Sequence, residues 1–412
     1  MRHRPHRSTI ALVLTGLLLS TTPLAHAIVS GCAESAPPDA LPSPVQATLD
    51  AAMPGLMRAA AVPGAALALI EDGDPRFAAG YRDSQSDASA PPVTARTLFQ
   101  AASVSKPVAA WTFLRVVEDG RLDLDTPIVD ALGDWRFPPS PWDPSGVTLR
   151  RILSHTAGLS VSGYGGFTPG TPPQSLLESL HGASDAGGQA LALSAAPGTG
   201  FSYSGGGYTL AELLLERVTG VGFAEVAHAR VLQPLGMSDS RYAATPAPSP
   251  PLARTYDDRG HPAPAHGFTA LAAAGLQTNA EDLARFVAAL LPGPCGQAPG
   301  RGLLAPAFVE LMLTPQPHSS NDMILPRSRY GLGIALARLP SGRTLAFHPG
   351  DNLPNWHNLI ALIPELRAGL VLLTNARGGD GMQTSVLCTW LRALGEDAPA
   401  ESCAAPAVPR PE

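Results

Sequence analysis

Lysine is almost missing from this 412-residue chain: of 28 basic residues, 27 are arginine, and Lys106 stands alone. Arginine stays protonated in a protein, whereas a buried lysine sheds its proton readily and can act as a base. Any chemistry that needs a neutral amine therefore falls on one residue. Charge of every kind is sparse, at 15% of the chain with a net value of −6, and no basic stripe or run of like charge occurs. That excludes a nucleic-acid groove and a polybasic membrane patch, and leaves small, roughly neutral molecules as partners. Cysteine numbers four, with no CxxC, no Cys/His cluster at zinc spacing and no HExxH, and this spacing gives a metal site little support. Aromatic residues are only 6%, but hydrophobic residues reach 45%, enough to bury a large globular core.

Long apolar runs are also lacking. Ile10 to Leu19 is apolar but falls short of the roughly 20 residues that span a bilayer. Arg2, Arg4 and Arg7 precede it and Ala25-His26-Ala27 follows, the charge, core and small-x-small order of an export signal. Val29-Ser30-Gly31-Cys32 offers a second processing site that resembles a bacterial lipobox. The expectation is an exported, periplasmic protein, either cleaved after Ala27 or anchored to a membrane through acylated Cys32. Export makes a disulfide among Cys295, Cys388 and Cys403 feasible without specifying the pair.

Glycine and proline, 41 and 43 residues, are spread without a period, which predicts many ordered loops. Apolar spacing predicts a helix over 45–60, a strand over 64–70 ending in the turn Glu71-Asp72-Gly73, and a second strand over 77–81. Helices follow at 105–118, closed by Gly120, and at 209–219 and 223–235. From Tyr330 the texture turns to strands at 332–339, 345–349, 356–363 and 369–374, before a final helix at 383–394. The expected organisation is a signal segment at 1–31, a tether at 32–44, and a discontinuous α/β domain at 45–114 and 266–395. A helical domain at 115–265 is inserted in it, and 396–412 is a tail.

Three separated motifs carry chemistry. Ser103-Val104-Ser105-Lys106 opens a helix, and positions i and i+3 share a face, so the Ser103 hydroxyl can meet the only ammonium. A desolvated lysine can take a serine's proton, and a helix N-terminus favours a developing oxyanion. Ser105 competes, but adjacent helical positions point apart. Tyr203-Ser204-Gly205, inside a glycine-rich loop leading into a helix, offers a phenol that can exchange protons with an ammonium and room for close approach. His348-Pro349-Gly350 ends a strand, and the proline predicts a sheet edge bordering a cleft.

With these motifs the chain resembles the serine β-lactamase and D-alanyl-D-alanine carboxypeptidase superfamily, on its class C and esterase-like branch. Ser103 and Lys106 match its S-x-x-K element, Tyr203 its tyrosine element, and His348 to Gly350 its third element. Val62-Pro63-Gly64, Leu153-Ser154-His155-Thr156-Ala157-Gly158, Pro234-Leu235-Gly236-Met237 and Tyr330-Gly331-Leu332-Gly333 are similar in order and spacing. The resemblance implies an α/β (α+β) fold, an antiparallel sheet flanked by helices plus an inserted all-helical domain. It implies an acyl-enzyme on Ser103, with Lys106, Tyr203 and His348 as further catalytic residues and no metal or organic cofactor. The backbone N–H groups of Ser103 and Asp351 would bind the oxyanion, with Gly350 and Gly205 lining the substrate; His155 is read as structural.

Two departures from the family pattern shape the expected substrate. Gly205 stands where β-lactamases carry asparagine, and His348-Pro349 replaces Lys-Thr. Those groups bind the acylamide and carboxylate of β-lactams and peptides, so small esters or amides lacking a free carboxylate are expected. A weak β-lactamase or DD-peptidase, or a penicillin-binding sensor with little turnover, are the alternatives. Histidine in place of a fixed ammonium also predicts a site charge that changes between about pH 5 and 8, with ester hydrolysis rising through His348.

Overall fold

The computed structural model describes residues 41–84, 89–246, 250–322 and 325–397, together with Met1 and Cys403. The expected signal segment, Cys32 and most of the tether and tail lie outside the described residues. Twelve strands are described: β1 Gly64–Glu71, β2 Asp74–Arg82, β3 Phe99–Gln100, β4 Arg241–Tyr242, β5 Thr255–Tyr256, β6 Pro262–Ala263, β7 Leu276–Thr278, β8 Arg329–Tyr330, β9 Ala335–Arg338, β10 Thr344–Asn352, β11 Trp356–Ile363 and β12 Ala368–Thr374. The helices are α1 Pro44–Ala60, α2 Ser105–Glu118, α3 Leu149–Leu153, α4 Leu176–Leu180, α5 Gly205–Thr219, α6 Phe223–Ala227, α7 Leu271–Ala274, α8 Ala280–Ala289, α9 Pro306–Met312 and α10 Gly379–Ala393.

Seven strands form one sheet in the order β2-β1-β12-β11-β10-β9-β8, each neighbouring pair antiparallel. It is covered on both faces, which explains why β1 reads as a continuous apolar run rather than an alternation. Ala66, Ala68, Ile70, Ala346, Ile360, Val371 and Leu373 face a core shared with α2, α5 and α8. Leu67, Leu69, Leu345, Phe347, Leu359 and Leu372 face the opposite core, built on α1 and α10. Helix α1 begins where the Ser43 hydroxyl accepts from the Gln46 N–H, a side-chain cap, and buries Leu49, Met53 and Met57 at four-residue spacing. Cys388 and Cys403 form a disulfide, which ties α10 to the chain beyond it. Among the described residues no helix is long and apolar enough to cross a membrane.

Pro349 does not mark an edge strand as its residue type suggests. β11 pairs β10 from Ala346 to Asn352, while β9 pairs it only from Thr344 to Phe347. The strand is internal at its start and open on one side only beyond Phe347, where a missing N–H interrupts no ladder. The helix expected over 223–235 is also interrupted: α6 stops at Ala227 and a π turn runs over His228–Leu232.

Candidate active site

Ser103 lies in a 3-10 turn, Ala102–Val104, that runs directly into α2. The turn is anchored from several sides. The Asn358 Nδ2 donates to the Gln100 carbonyl (2.8 Å), and the Ala101 N–H donates to Leu276 (2.8 Å). Ser105, the rival hydroxyl, is fully buried; its Oγ accepts from the Leu276 N–H (3.0 Å), and its carbonyl accepts from the Tyr242 hydroxyl (2.7 Å). Ser105 holds the turn to β7 and β4, and Ser103 keeps the partly exposed position. Ala102 carries φ 53°, a left-handed conformation that costs a side-chain-bearing residue about 1 kcal/mol or more. Ser103 thus follows a strained residue.

Lys106 is buried, at 2% exposure, one helical turn on. Its Nζ donates to Ser103 Oγ at 3.0 Å and to the Ala273 carbonyl of α7 at 2.9 Å. No carboxylate offsets its desolvation, so the ammonium falls from 10.5 to about 7. The same Nζ sits 4.9 Å from the ring centre of Tyr203 and 5.6 Å from that of Tyr208. Burial raises the Tyr203 phenol above its ordinary value, with a hydrogen bond to Ser103 pulling the other way. The phenol is held on its protonated side while the lysine is brought to where it can lose its proton, an arrangement that allows a base at Lys106 with a proton donor beside it.

Tyr203 is held from behind by His155, whose ring lies 4.2 Å from it, centre to centre. Ser204 donates its N–H to His155 Nδ1 (3.1 Å), and Ser202 donates its N–H to the His155 carbonyl (2.7 Å). These contacts clamp the tyrosine segment on both sides. Ser204 then caps α5, its Oγ accepting from Gly207 (2.9 Å). Burial and the Lys106 charge keep His155 well below the usual imidazole range.

His348 is completely buried, and the expectation that it titrates between pH 5 and 8 is corrected here. Its Nδ1 lies 2.5 Å from the Pro349 carbonyl, which can only accept, so Nδ1 carries the proton and Nε2 accepts from the Tyr330 hydroxyl (2.7 Å). Burial, reinforced by Lys106, lowers the ring from 6.5 to about 3 and so keeps it neutral, the state in which Nε2 accepts. Tyr330 is the residue that sequence reasoning missed here. It stood inside a quoted motif, but a contact across 18 positions has no local signal.

Gly350 brings β10 against the Ser103 turn: a Cβ there would stand 2.4 Å from the Ala101 oxygen and 3.0 Å from the Val104 nitrogen. Only glycine permits this approach. Asp351 follows with an exposed carboxylate that accepts from His357 Nδ1 (2.5 Å) and Gln383 Nε2 (3.2 Å). Gly205 is not followed by empty space. A Cβ on it would meet the Ser162 carbonyl at 3.2 Å and the Tyr164 ring at 3.3 Å, and Tyr164 is fixed by a 2.5 Å hydrogen bond to Thr209. The aromatic ring occupies the side where an asparagine would project.

Among the described residues, Asp351, His357 and Asp380 bring metal-ligand atoms within 4.8 Å of one another; His357 is already bonded to Asp351, and the trio is outside the Ser103–Lys106–Tyr203 cluster. A cavity of about 320 Å³ lined by Trp135, Phe137, Trp142 and Leu193 contains none of the three motifs.

A family model described as Beta-lactamase matches residues 49–386. The chain is 34% identical over 206 residues to Esterase EstB of Burkholderia gladioli, covering 47% of this chain and 50% of that one. It is 31% identical over 182 residues to Penicillin-binding protein 4 of Amycolatopsis lactamdurans, covering 43% and 44%. The chain thus matches about half the length of these curated relatives. Its fold is shared with an octameric penicillin-binding protein homologue from Pyrococcus abyssi, at TM-score 0.69 and 24% identity over 85% of this chain and 78% of that one. It is shared also with a D-stereospecific amidohydrolase from Streptomyces sp., at TM-score 0.61 and 22% identity over 83% and 97%.

Proposed function

The chain belongs to the beta-lactamase family, and on that premise we propose that it is a serine hydrolase forming an acyl-enzyme on Ser103 with small esters or amides that lack a free carboxylate. The observation that carries this reading is the 3.0 Å contact between Ser103 Oγ and a lysine whose pKa is about 7. Neutral Lys106 takes the hydroxyl proton as Ser103 attacks the carbonyl carbon, and Tyr203 passes a proton to the leaving group. The N–H groups of Ser103 and Asp351 receive the oxyanion. Water then attacks the acyl carbon by the reverse proton path, freeing the acid.

The substrate class follows from what the site withholds. His348 is neutral and fully buried, Pro349 has no hydroxyl, and the only ammonium is committed to Ser103. A substrate carboxylate would enter with no ammonium of its own. The name of the esterase relative and that of the amidohydrolase neighbour point the same way. The test is hydrolysis of p-nitrophenyl acetate and labelling by a fluorophosphonate, each beside Ser103→Ala. Turnover and labelling lost in the variant are expected; equal turnover by both proteins overturns the reading. A stable adduct with penicillin, seen by intact mass, would instead favour a penicillin-binding sensor.

Export is part of the same proposal, supported by the Arg2, Arg4, Arg7 and Ile10 to Leu19 pattern. If Cys32 is acylated, Cys32→Ala moves the protein from the membrane to the soluble fraction. An unchanged distribution rules out the lipid anchor.

A further inference from the structure

Helix α5 buries one carboxyl that the mechanism does not use. Glu212 is 2% exposed, and its Oε2 accepts the Ala272 N–H at 2.8 Å. Ala272 lies in α7, a four-residue turn with no side-chain cap on its own N-terminus. The next residue, Ala273, offers the carbonyl that receives Lys106 Nζ at 2.9 Å. Two hydrogen bonds on adjacent residues therefore connect Glu212 to the base. The same helix begins two residues after Tyr203.

We propose that Glu212 is a positioning residue for the reaction: its carboxyl holds the Leu271–Ala274 turn, and that turn holds Lys106 between Ser103 and Tyr203. The inference rests on the hydrolase reading above. Without the carboxyl the Ala272 N–H would be buried and unpaired, and the turn would shift to find another acceptor. The Ala273 oxygen would move with it, and Lys106 would lose the neutral acceptor that stabilises its charged form. Burial raises the Glu212 acid well above the ordinary carboxyl range, with the Ala272 N–H pulling the other way. Glu216 from the same helix, Tyr164 from the preceding loop and Tyr242 from β4 face it. His155, His348, Tyr203 and Tyr208 surround Lys106.

The experiment compares Glu212→Gln and Glu212→Met with the parent enzyme, using p-nitrophenyl acetate from pH 5 to 9. Active sites are counted by fluorophosphonate titration, so that unfolded protein is not scored as lost catalysis. Glutamine keeps an uncharged acceptor, and its kcat should stay within about threefold of the parent with the same pH midpoint. Methionine keeps the volume without the acceptor; kcat per active site should fall by about tenfold or more, KM should change little, and the midpoint should drop by about half a pH unit. A methionine variant with the parent's midpoint and kcat, or a glutamine variant as impaired as methionine, overturns the proposal. If the methionine variant does not fold, the glutamine variant decides it. Failure of the parent to hydrolyse the ester or bind the probe would instead refute the hydrolase reading, so the two failures are separable.

Discussion

Activity should follow the proton on Lys106 alone. With a pKa of about 7, the neutral amine grows from about a tenth of the protein at pH 6 to about nine-tenths at pH 8, a rise of about tenfold that levels above pH 8. The sign is set by the role: the base works unprotonated, so kcat/KM rises with pH. An ordinary lysine at 10.5 would give about a hundredfold rise over the same interval with no plateau before pH 9. His348, already neutral above about pH 3, cannot contribute, so His348→Asn should keep the midpoint while changing the amplitude through loss of the Tyr330 hydrogen bond. Lys106→Arg leaves no group able to lose its proton and should reduce kcat by about a thousandfold. The assay is initial-rate hydrolysis of p-nitrophenyl acetate in constant-ionic-strength buffers, corrected for spontaneous hydrolysis. A rate still climbing tenfold per pH unit at pH 9, or a midpoint that moves in His348→Asn, would refute the assignment.

Other expectations follow from single contacts. Tyr164→Ala opens the side of the cleft next to Gly205; hydrolysis of bulky acyl esters relative to acetate should rise about threefold or more, and an unchanged acyl preference would show that the ring does not border the acyl group. Gly350→Ala drives a methyl into the Ala101 oxygen at 2.4 Å and should cost about a hundredfold in kcat by displacing the Ser103 turn; full activity in a crystallographically unchanged variant would deny the close approach. Ser204→Ala removes the α5 cap that accepts from Gly207 and should lower stability by about 1 kcal/mol in urea unfolding, against no change if the cap is dispensable.

Much of the scaffold was legible because its signals are local. α2 runs over Ser105–Glu118 as its apolar spacing and Gly120 predict, and β11 covers Trp356–Ile363 as its texture predicts. Helix α8 carries a local start signal too, with Asn279 as its cap and Glu281 and Asp282 in its first turn, but it falls outside the segments whose apolar spacing predicts helix. Strands β3, β4 and β7 hold two or three residues each, too few for any period to register. In the site, Ser103 and Lys106 were readable because three positions on a helix fix their neighbourhood. The neutral state of His348 was not, since it depends on Tyr330, on a carbonyl within its own strand and on burial beneath the helices. Glu212 was invisible for the same reason: its partner Ala272 is 60 positions away, and a glutamate in a helical pattern ordinarily reads as a solvated face.

The charge states around Lys106 depend on one another. A buried ammonium opposes protonation of the two nearby imidazoles, and both His155 and His348 are held low by it as well as by desolvation. Neutral imidazoles in turn add no repulsion to Lys106, whose value is set by burial alone. The phenols of Tyr203, Tyr208 and Tyr330 are pushed up by the same burial, and so is the acid of Glu212. Among these groups burial brings Lys106 to about 7, while it pushes the imidazoles down and the phenols and the Glu212 acid up, each towards its uncharged form. On the proposed reading, such a site would accept a neutral acyl group without a second charge and would leave stabilisation of the oxyanion to backbone donors. An anionic substrate would have to enter this interior while Lys106 is neutral and working as a base, when no compensating charge is present. Lysine is absent from the rest of the chain, so no flexible ammonium can swing in to supply one, and on the proposed hydrolase reading uncharged esters or amides are the expected substrates.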